Sequence, residues 1–250
     1  MFKKKTSSWN ASESWYTQCV GEKGHHYHQT VVLPAVLRLL CRVSSVLDLG
    51  CGQGVLARHL PEKITYCGVD LSESLIASAR KMTTRPNAQF VVGNATEQIP
   101  VEKTDFDCAC FILSLQNMDK QADAIATARR HLKKGGTLLI VLNHPCFRIP
   151  RQSSWGVDDQ AKLQYRRVNS YMTPQEIPIQ TNPGLGAQSP TTYSYHHPLS
   201  DYISWLNHAG FSVTHLEEWC SDKKSEGSRA RMEDRSRREI PLFMALLCRI

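Results

Sequence analysis

The sequence predicts an α/β protein built on a mostly parallel, doubly wound sheet. Three observations carry that expectation. Short apolar runs alternate with segments of helical periodicity from Val46 to Leu142. The run Val46-Leu47-Asp48-Leu49 enters three alternate glycines, Gly50-Cys51-Gly52-Gln53-Gly54, and then the helical pattern of Val55, Leu56 and Leu60. Lastly, Phe106-Asp107-Cys108-Ala109-Cys110-Phe111-Ile112-Leu113 is apolar almost throughout, as a strand covered on both faces must be. Strand–helix repeats connect by right-handed crossovers, which place helices on both faces of the sheet.

Taken in order, residues 1–45 read as an N-terminal helical cap. Val31, Val32, Leu33, Val36, Leu37, Leu39 and Leu40 mark a buried helix, with Pro34 in its first turns. After the glycine turn, residues 64–69 form a second strand ending on Asp70. Ser72 caps a helix through Ile76, Ala77 and Met82. Residues 89–93 are the third strand and 106–113 the fourth; a helix covers 120–132 and stops at Lys134-Gly135-Gly136. Residues 137–142 are the fifth strand, so 46–142 forms the sheet core.

Residues 143–198 break the rhythm with many prolines and aromatics, and read as an irregular but packed lid. Residues 199–250 complete the sheet. They hold a helix stopped by Gly210, a sixth strand at 211–216, a charged surface excursion to Glu239 and a last apolar strand at 240–250.

In open sheets of this kind, ligands bind outside the carboxyl ends of the strands, at the switch point. That rule selects residues 48–52, Asp70 and Leu71, Asn94 and Ala95, 111–116 and 143–147. Alternate glycines bring the backbone close to a ligand, and the free N–H groups of the following helix favour a carboxylate or phosphate. The G-x-G-x-G spacing differs from the G-x-G-x-x-G of most dinucleotide sites, and no Gly-Lys-Ser/Thr follows as in a P-loop. Asp70, at the tip of the second strand, can accept both hydroxyls of a ribose, a device shared with dinucleotide enzymes.

These motifs resemble the class I, Rossmann-like S-adenosylmethionine (SAM)-dependent methyltransferases, and among them those of type 11. The residues that carry the resemblance are Val46-Leu47-Asp48-Leu49-Gly50-Cys51-Gly52-Gln53-Gly54, Gly68-Val69-Asp70-Leu71-Ser72, Gly93-Asn94-Ala95 with Ile99-Pro100, Phe106-Asp107, and His131-Leu132-Lys133-Lys134-Gly135-Gly136-Thr137-Leu138, in the family's order and spacing. The resemblance implies a seven-stranded sheet of order 3-2-1-4-5-7-6, its seventh strand antiparallel between the fifth and sixth. It implies SAM as cofactor, S-adenosylhomocysteine as product, and a lid after the fifth strand that selects the acceptor.

The cofactor site so implied comprises Asp48, Gly50, Cys51, Gly52, Asp70, Leu71, Asn94, Ala95, Phe111, Leu113 and Gln116, with Gln116 near the methionyl part. The family's third motif commonly reads Gly-Asp-Ala; here the Asn94 amide would accept from the adenine amine. The N-terminal segment would fold over the cofactor, and Tyr16 and Tyr27 are candidates to face its positive sulfonium.

Methyl transfer from a sulfonium is an in-line displacement that needs positioning and, for a protonated O- or N-acceptor, a general base. His144, one residue past the fifth strand, is the candidate base. His196, His197, Tyr165 and Tyr171 are secondary candidates. Cys146 lacks the surroundings of a nucleophilic cysteine, and no Asp/Asn-Pro-Pro-Tyr/Phe follows the fourth strand as in amino-group methylases of nucleobases or glutamine. His25, His26 and His28 have no acid or cysteine at ligand spacing, so no metal is expected.

The formal charge is +7, but the basic residues from Lys223 to Arg238 are interleaved with acids, unlike a nucleic-acid stripe. A small-molecule acceptor is therefore expected ahead of RNA or protein. A nicotinamide oxidoreductase and a non-catalytic SAM-binding protein are the remaining alternatives. No apolar run approaches the roughly 20 residues that span a bilayer. Nine scattered cysteines without a C-x-x-C pair point to a reduced, cytoplasmic protein.

Overall fold

The computed structural model describes residues 9–250. Lys3, Lys4, Lys5 and the rest of the first eight residues of the expected cap lie outside them. The chain opens with helix α1 (Glu13–Val20) and, after a single wide turn over His28–Val32, α2 (Leu33–Leu39). The βα units follow: β1 (Ser45–Leu49), α3 (Val55–His59), β2 (Thr65–Asp70), α4 (Glu73–Met82), β3 (Ala88–Val92), β4 (Phe106–Ile112), α5 (Gln121–Arg130) and β5 (Leu132–Asn143). Ser72 caps α4 as expected: its backbone is extended and its Oγ accepts from the Leu75 N–H at 3.3 Å.

Beyond β5 come β6 (Ser153–Asp158), β7 (Leu163–Val168), β8 (Gln175–Gln180) and β9 (Thr191–His196). The chain ends with α6 (Leu199–His208), β10 (Ser212–Trp219), α7 (Ala230–Glu239) and β11 (Phe243–Arg249).

The main sheet has seven strands in the order β10-β11-β5-β4-β1-β2-β3. β1 pairs in parallel with β2 and β4, and β4 with β5. β11 is antiparallel to both β5 and β10. This is the 3-2-1-4-5-7-6 arrangement, with β10 as the sixth strand and β11 as the seventh.

β1 is buried along its whole length because both sheet faces are covered. Its alternating side chains divide between two apolar layers: Val46 joins Val36, Leu56 and Ile76, while Leu47 and Leu49 join Ile125, Ala128 and Leu206. Each fully buried aliphatic side chain of this kind contributes about 1.5–3 kcal/mol. Asp48 shares the Val46 side, and is the one buried carboxylate among the described residues.

Three expectations change. Residues 143–198 are not irregular: they fold into two antiparallel hairpins, β6–β7 and β8–β9. Proline misleads here because a two-stranded ribbon is all edge. Pro178 lies within β8, opposite Tyr193, where a missing N–H breaks no inner ladder. β5 begins at Leu132, where the helix was expected to continue; Leu132 pairs with Phe106 before a register shift brings Thr137 opposite Cys108. The charged excursion contains a helix, α7, which buries Ser236. No helix among the described residues is long and apolar enough to cross a membrane.

Candidate active site

A cavity of about 830 Å³ opens at the carboxyl ends of β1, β2, β4 and β5. That volume falls within the roughly 300–1,000 Å³ of small-molecule sites. Its floor is the β1 turn. Gly50 and Gly52 both line it. Gly50 has φ +77°, and a Cβ there would stand 2.5 Å from the Ser114 Cβ. Ser114 is itself fixed, its hydroxyl donating to the Leu49 carbonyl at 2.6 Å. The β1 and β4 ends therefore close on each other only because residue 50 has no side chain.

Asp70 lines the cavity from the tip of β2. Its Oδ2 accepts from the Gly52 N–H at 2.9 Å and its Oδ1 from the Ser72 N–H at 2.8 Å. Burial raises its pKa, and those two N–H groups oppose the rise. Each carboxylate oxygen keeps a further lone pair, so two vicinal hydroxyls can still be accepted. This is the observation that tests the fit of a nucleoside, and the residues present fit it.

Leu71, Asn94 and Ala95 line the same end. The Asn94 side chain is already engaged. Its Oδ1 accepts from the Thr96 N–H (3.0 Å) and hydroxyl (2.9 Å), and its Nδ2 donates to Glu97 at 2.9 Å. The amide expected to meet an adenine amine instead holds its own turn.

The mouth of β4 carries strain. Leu113, a cavity residue, has φ +56°, a conformation that costs a bulky residue of order 1–3 kcal/mol. Its carbonyl accepts from the Gln116 and Asn117 side-chain amides at 3.0 and 3.3 Å. The other end of the Gln116 amide, Oε1, is buried without a partner. Gln116 lines the cavity, so this acceptor suits a donor such as the ammonium of a methionyl group.

The N-terminal segment roofs the cavity with Trp9, Tyr16, His25, Tyr27 and His28. Tyr16 meets Trp9 edge-on, and Tyr27 meets Phe243 edge-on. The Tyr27 hydroxyl lies 3.0 Å from the Ser221 hydroxyl. The roof is clasped to the core: Asn10 accepts from Ser72, Glu13 from Ser78, and Gly21 from Gln53. Ser12 reaches Thr181, just past β8, at 2.9 Å. Burial lowers the pKa of His25, and that of His28 to about 3, so both rings are neutral at pH 7.

Four expected site residues stay outside the cavity lining. Asp48 is 3% exposed, accepts from the Tyr66 hydroxyl at 2.6 Å, and has its Oδ1 unpartnered. Burial pushes its pKa up to about 6. Cys51 and Phe111 are buried in the sheet layers. Both face inward because strand and turn side chains alternate, which the strand-end rule ignores.

His144 stands apart from the cavity. It is 2% exposed and does not line the cavity. Its Nδ1 accepts from the Cys146 N–H at 3.2 Å, so Nε2 carries the proton and donates to Glu218 at 2.7 Å. Nδ1 serves the turn after β5, Nε2 ties it to β10, and burial lowers the pKa. His196 and Tyr171 are likewise used structurally: the imidazole holds the Tyr171 carbonyl, and the Tyr171 hydroxyl accepts from the Leu199 N–H. Tyr165 is exposed on the first hairpin. His197 pairs with Asp201, and neither it nor Cys146 lines the cavity.

Arg148, Glu176 and Phe243 line the cavity and escaped the sequence reading. Arg148 lies one position past the window taken after the fifth strand. Phe243 begins β11, and the strand-end rule looks at carboxyl ends; an antiparallel strand brings its amino end to the site. Glu176 comes from β8, beside Tyr193 and Tyr195 of β9, which also reach the cavity.

Residues 46–136 match the family model of a methyltransferase domain. The chain is 26% identical over 212 residues to the N-demethylindolmycin N-methyltransferase of Streptomyces griseus, covering 73% of this chain and 80% of that one. It is 32% identical over 102 residues to the demethylmenaquinone methyltransferase of Leptospira interrogans, covering 38% of this chain and 41% of that one. A third relative, a 37.1 kDa protein of a Streptomyces fradiae transposon, is 30% identical over 128 residues, covering 46% of this chain and 37% of that one. This chain thus spans well under half the length of two of the three. The fold is similar to that of an S-adenosylmethionine dependent methyltransferase from Mesorhizobium loti, with a TM-score of 0.66 at 22% identity, covering 86% of this chain and 96% of that one.

Proposed function

We propose that this chain, whose residues 46–136 match a methyltransferase domain, is a class I SAM-dependent methyltransferase and that it methylates a small-molecule acceptor held beneath its second hairpin. The observation that carries the proposal is the single cavity shared by Gly50, Gly52 and Asp70 on one side and by Glu176, Tyr193 and Tyr195 on the other. SAM, when bound, supplies an electrophilic methyl group. The chain's own residues then act by position. Asp70 would accept two ribose hydroxyls, and the β1 turn would let the cofactor approach the backbone closely. Gln116 Oε1 would accept from the methionyl ammonium, and Tyr16 and Tyr27 would be the aromatic residues nearest the sulfonium. The hairpin and the N-terminal roof keep water out and hold the acceptor in line.

Where the acceptor starts protonated, His25 replaces His144 as the candidate base. It lines the cavity and is neutral; His28, with its pKa near 3, accepts a proton too weakly. The two relatives named as methyltransferases of N-demethylindolmycin and demethylmenaquinone support a small organic acceptor. A reducing, cytoplasmic location is part of the same proposal, since the nine cysteines are scattered without a C-x-x-C pair. The test measures S-adenosylhomocysteine release from SAM across a metabolite library, with total RNA and denatured protein as parallel acceptors. Turnover with a small molecule, lost in Asp70→Ala, is expected; turnover with RNA or protein alone overturns the proposal.

A further inference from the structure

One end of the cavity holds a cation that pairs with no acid among the described residues. Asp70 at the tip of β2 and Asn143 at the tip of β5 are three strand spacings apart, about 14 Å at roughly 4.8 Å per strand. The nucleoside-fitting groups sit at the β2 end. Arg148 follows β5, and it lines the opposite end with Asn143, Tyr27 and Phe243. It is half-buried, and its guanidinium makes no hydrogen bond or ion pair among the described residues. Its backbone is held, with the N–H donating to the His144 carbonyl at 2.8 Å.

A second guanidinium, Arg166, stands close enough for Arg148 to disfavour its charge. Arg166 is spent on structure: it donates to the Phe147 carbonyl and the Ser153 hydroxyl, both at 2.8 Å, and stacks over Trp155. Burial lowers the pKa of Arg148, a cost that a bound anion would remove. The acids that line the cavity do not supply that anion. Asp70 is committed to two N–H groups, Glu176 is exposed on β8 and forms no ion pair with Arg148, and Asp119 has its own partner.

Resting on the methyltransferase reading above, we propose that the acceptor carries an anionic group, a carboxylate or a phosphate, which Arg148 receives through its two-pronged guanidinium. The aromatic rings of Tyr27 and Phe243 flank that position and suit an apolar body attached to the anion. Arg148 is then the residue that fixes acceptor class and orientation, and it takes no part in holding the cofactor.

The test is calorimetric titration of the full chain. S-adenosylhomocysteine is titrated first; if the wild-type protein fails to bind it, the methyltransferase reading itself falls. The S-adenosylhomocysteine-saturated protein then receives phenylacetate, phenyl phosphate and neutral phenylacetamide. The expected result is binding of at least one anion at least tenfold tighter than the amide, and which anion wins separates carboxylate from phosphate. Arg148→Gln is expected to abolish that preference while leaving S-adenosylhomocysteine affinity within twofold, and Arg148→Lys to retain part of it. Equal binding of amide and anions, or no binding of any probe by the wild-type protein, overturns the proposal. So does a tenfold loss of S-adenosylhomocysteine affinity in a folded Arg148→Gln, since Arg148 would then serve the cofactor's carboxylate.

Discussion

Gly50 in the turn after β1 and Gly186 in the turn between β8 and β9 both have positive φ, +77° and +53°. They differ in what surrounds them. An added Cβ at Gly50 meets the Ser114 side chain at 2.5 Å, whereas at Gly186 it meets nothing within 4 Å. The first turn is locked between two central strands of a sheet packed on both faces. The second sits at the tip of a two-stranded ribbon. One backbone requirement therefore has two consequences: at the core it sets the shape of the site, and at the hairpin it sets only the shape of a loop.

Three changes probe that contrast. Gly50→Ala adds the left-handed penalty to an overpacked contact with Ser114, each of order 1–3 kcal/mol. The expected loss is about 3 kcal/mol in urea unfolding, together with loss of S-adenosylhomocysteine binding. If the variant unfolds like the wild type, the turn is less rigid than its packing indicates.

Asp48→Asn has the next largest effect, and it depends on pH. The folded-state pKa of Asp48, about 6, lies above that of an unfolded aspartate, near 3.9. Its contribution to stability is therefore fully present below about pH 4 and is lost as the pH rises through 6. Relative to wild type, Asp48→Asn is expected to gain about 2 kcal/mol between pH 4 and pH 8. A difference that stays flat across that range would show that the carboxylate is solvated in the folded protein.

The smallest effect is expected at Gly186→Ala, where only backbone conformation is at stake. It should cost about 1 kcal/mol, with cofactor binding unchanged. A cost equal to that of Gly50→Ala would mean that the hairpin tip is packed against more than its own ribbon.

Much of the site was legible in the primary structure because it is local. The βα periodicity, the alternate glycines and Asp70 lie within one supersecondary unit, so spacing alone brings Gly50, Gly52 and Asp70 together. Ser72 as a cap is legible for the same reason, since its partner is three residues away. The departures from expectation have two origins, one long-range and one local. His144 sits where a base would be useful, but Glu218, across the sheet on β10, claims its ring. Asn94 carries the right amide, which its own turn consumes. The prolines of residues 143–198 read as breakers, yet an edge ribbon tolerates them.

What the sequence by itself determined is the parallel core and the end of the cavity lined by Gly50, Gly52 and Asp70. Their signals are periodicity and close spacing, and each βα unit repeats the same physics. Only the tertiary structure decided the opposite end. Arg148, Phe243 and Tyr193 are far apart in the chain and carry no common motif; an antiparallel last strand and a folded-back hairpin bring them to one cavity. Which side chain of a long-range cluster keeps a free polar group is settled by packing, and packing has no period to read.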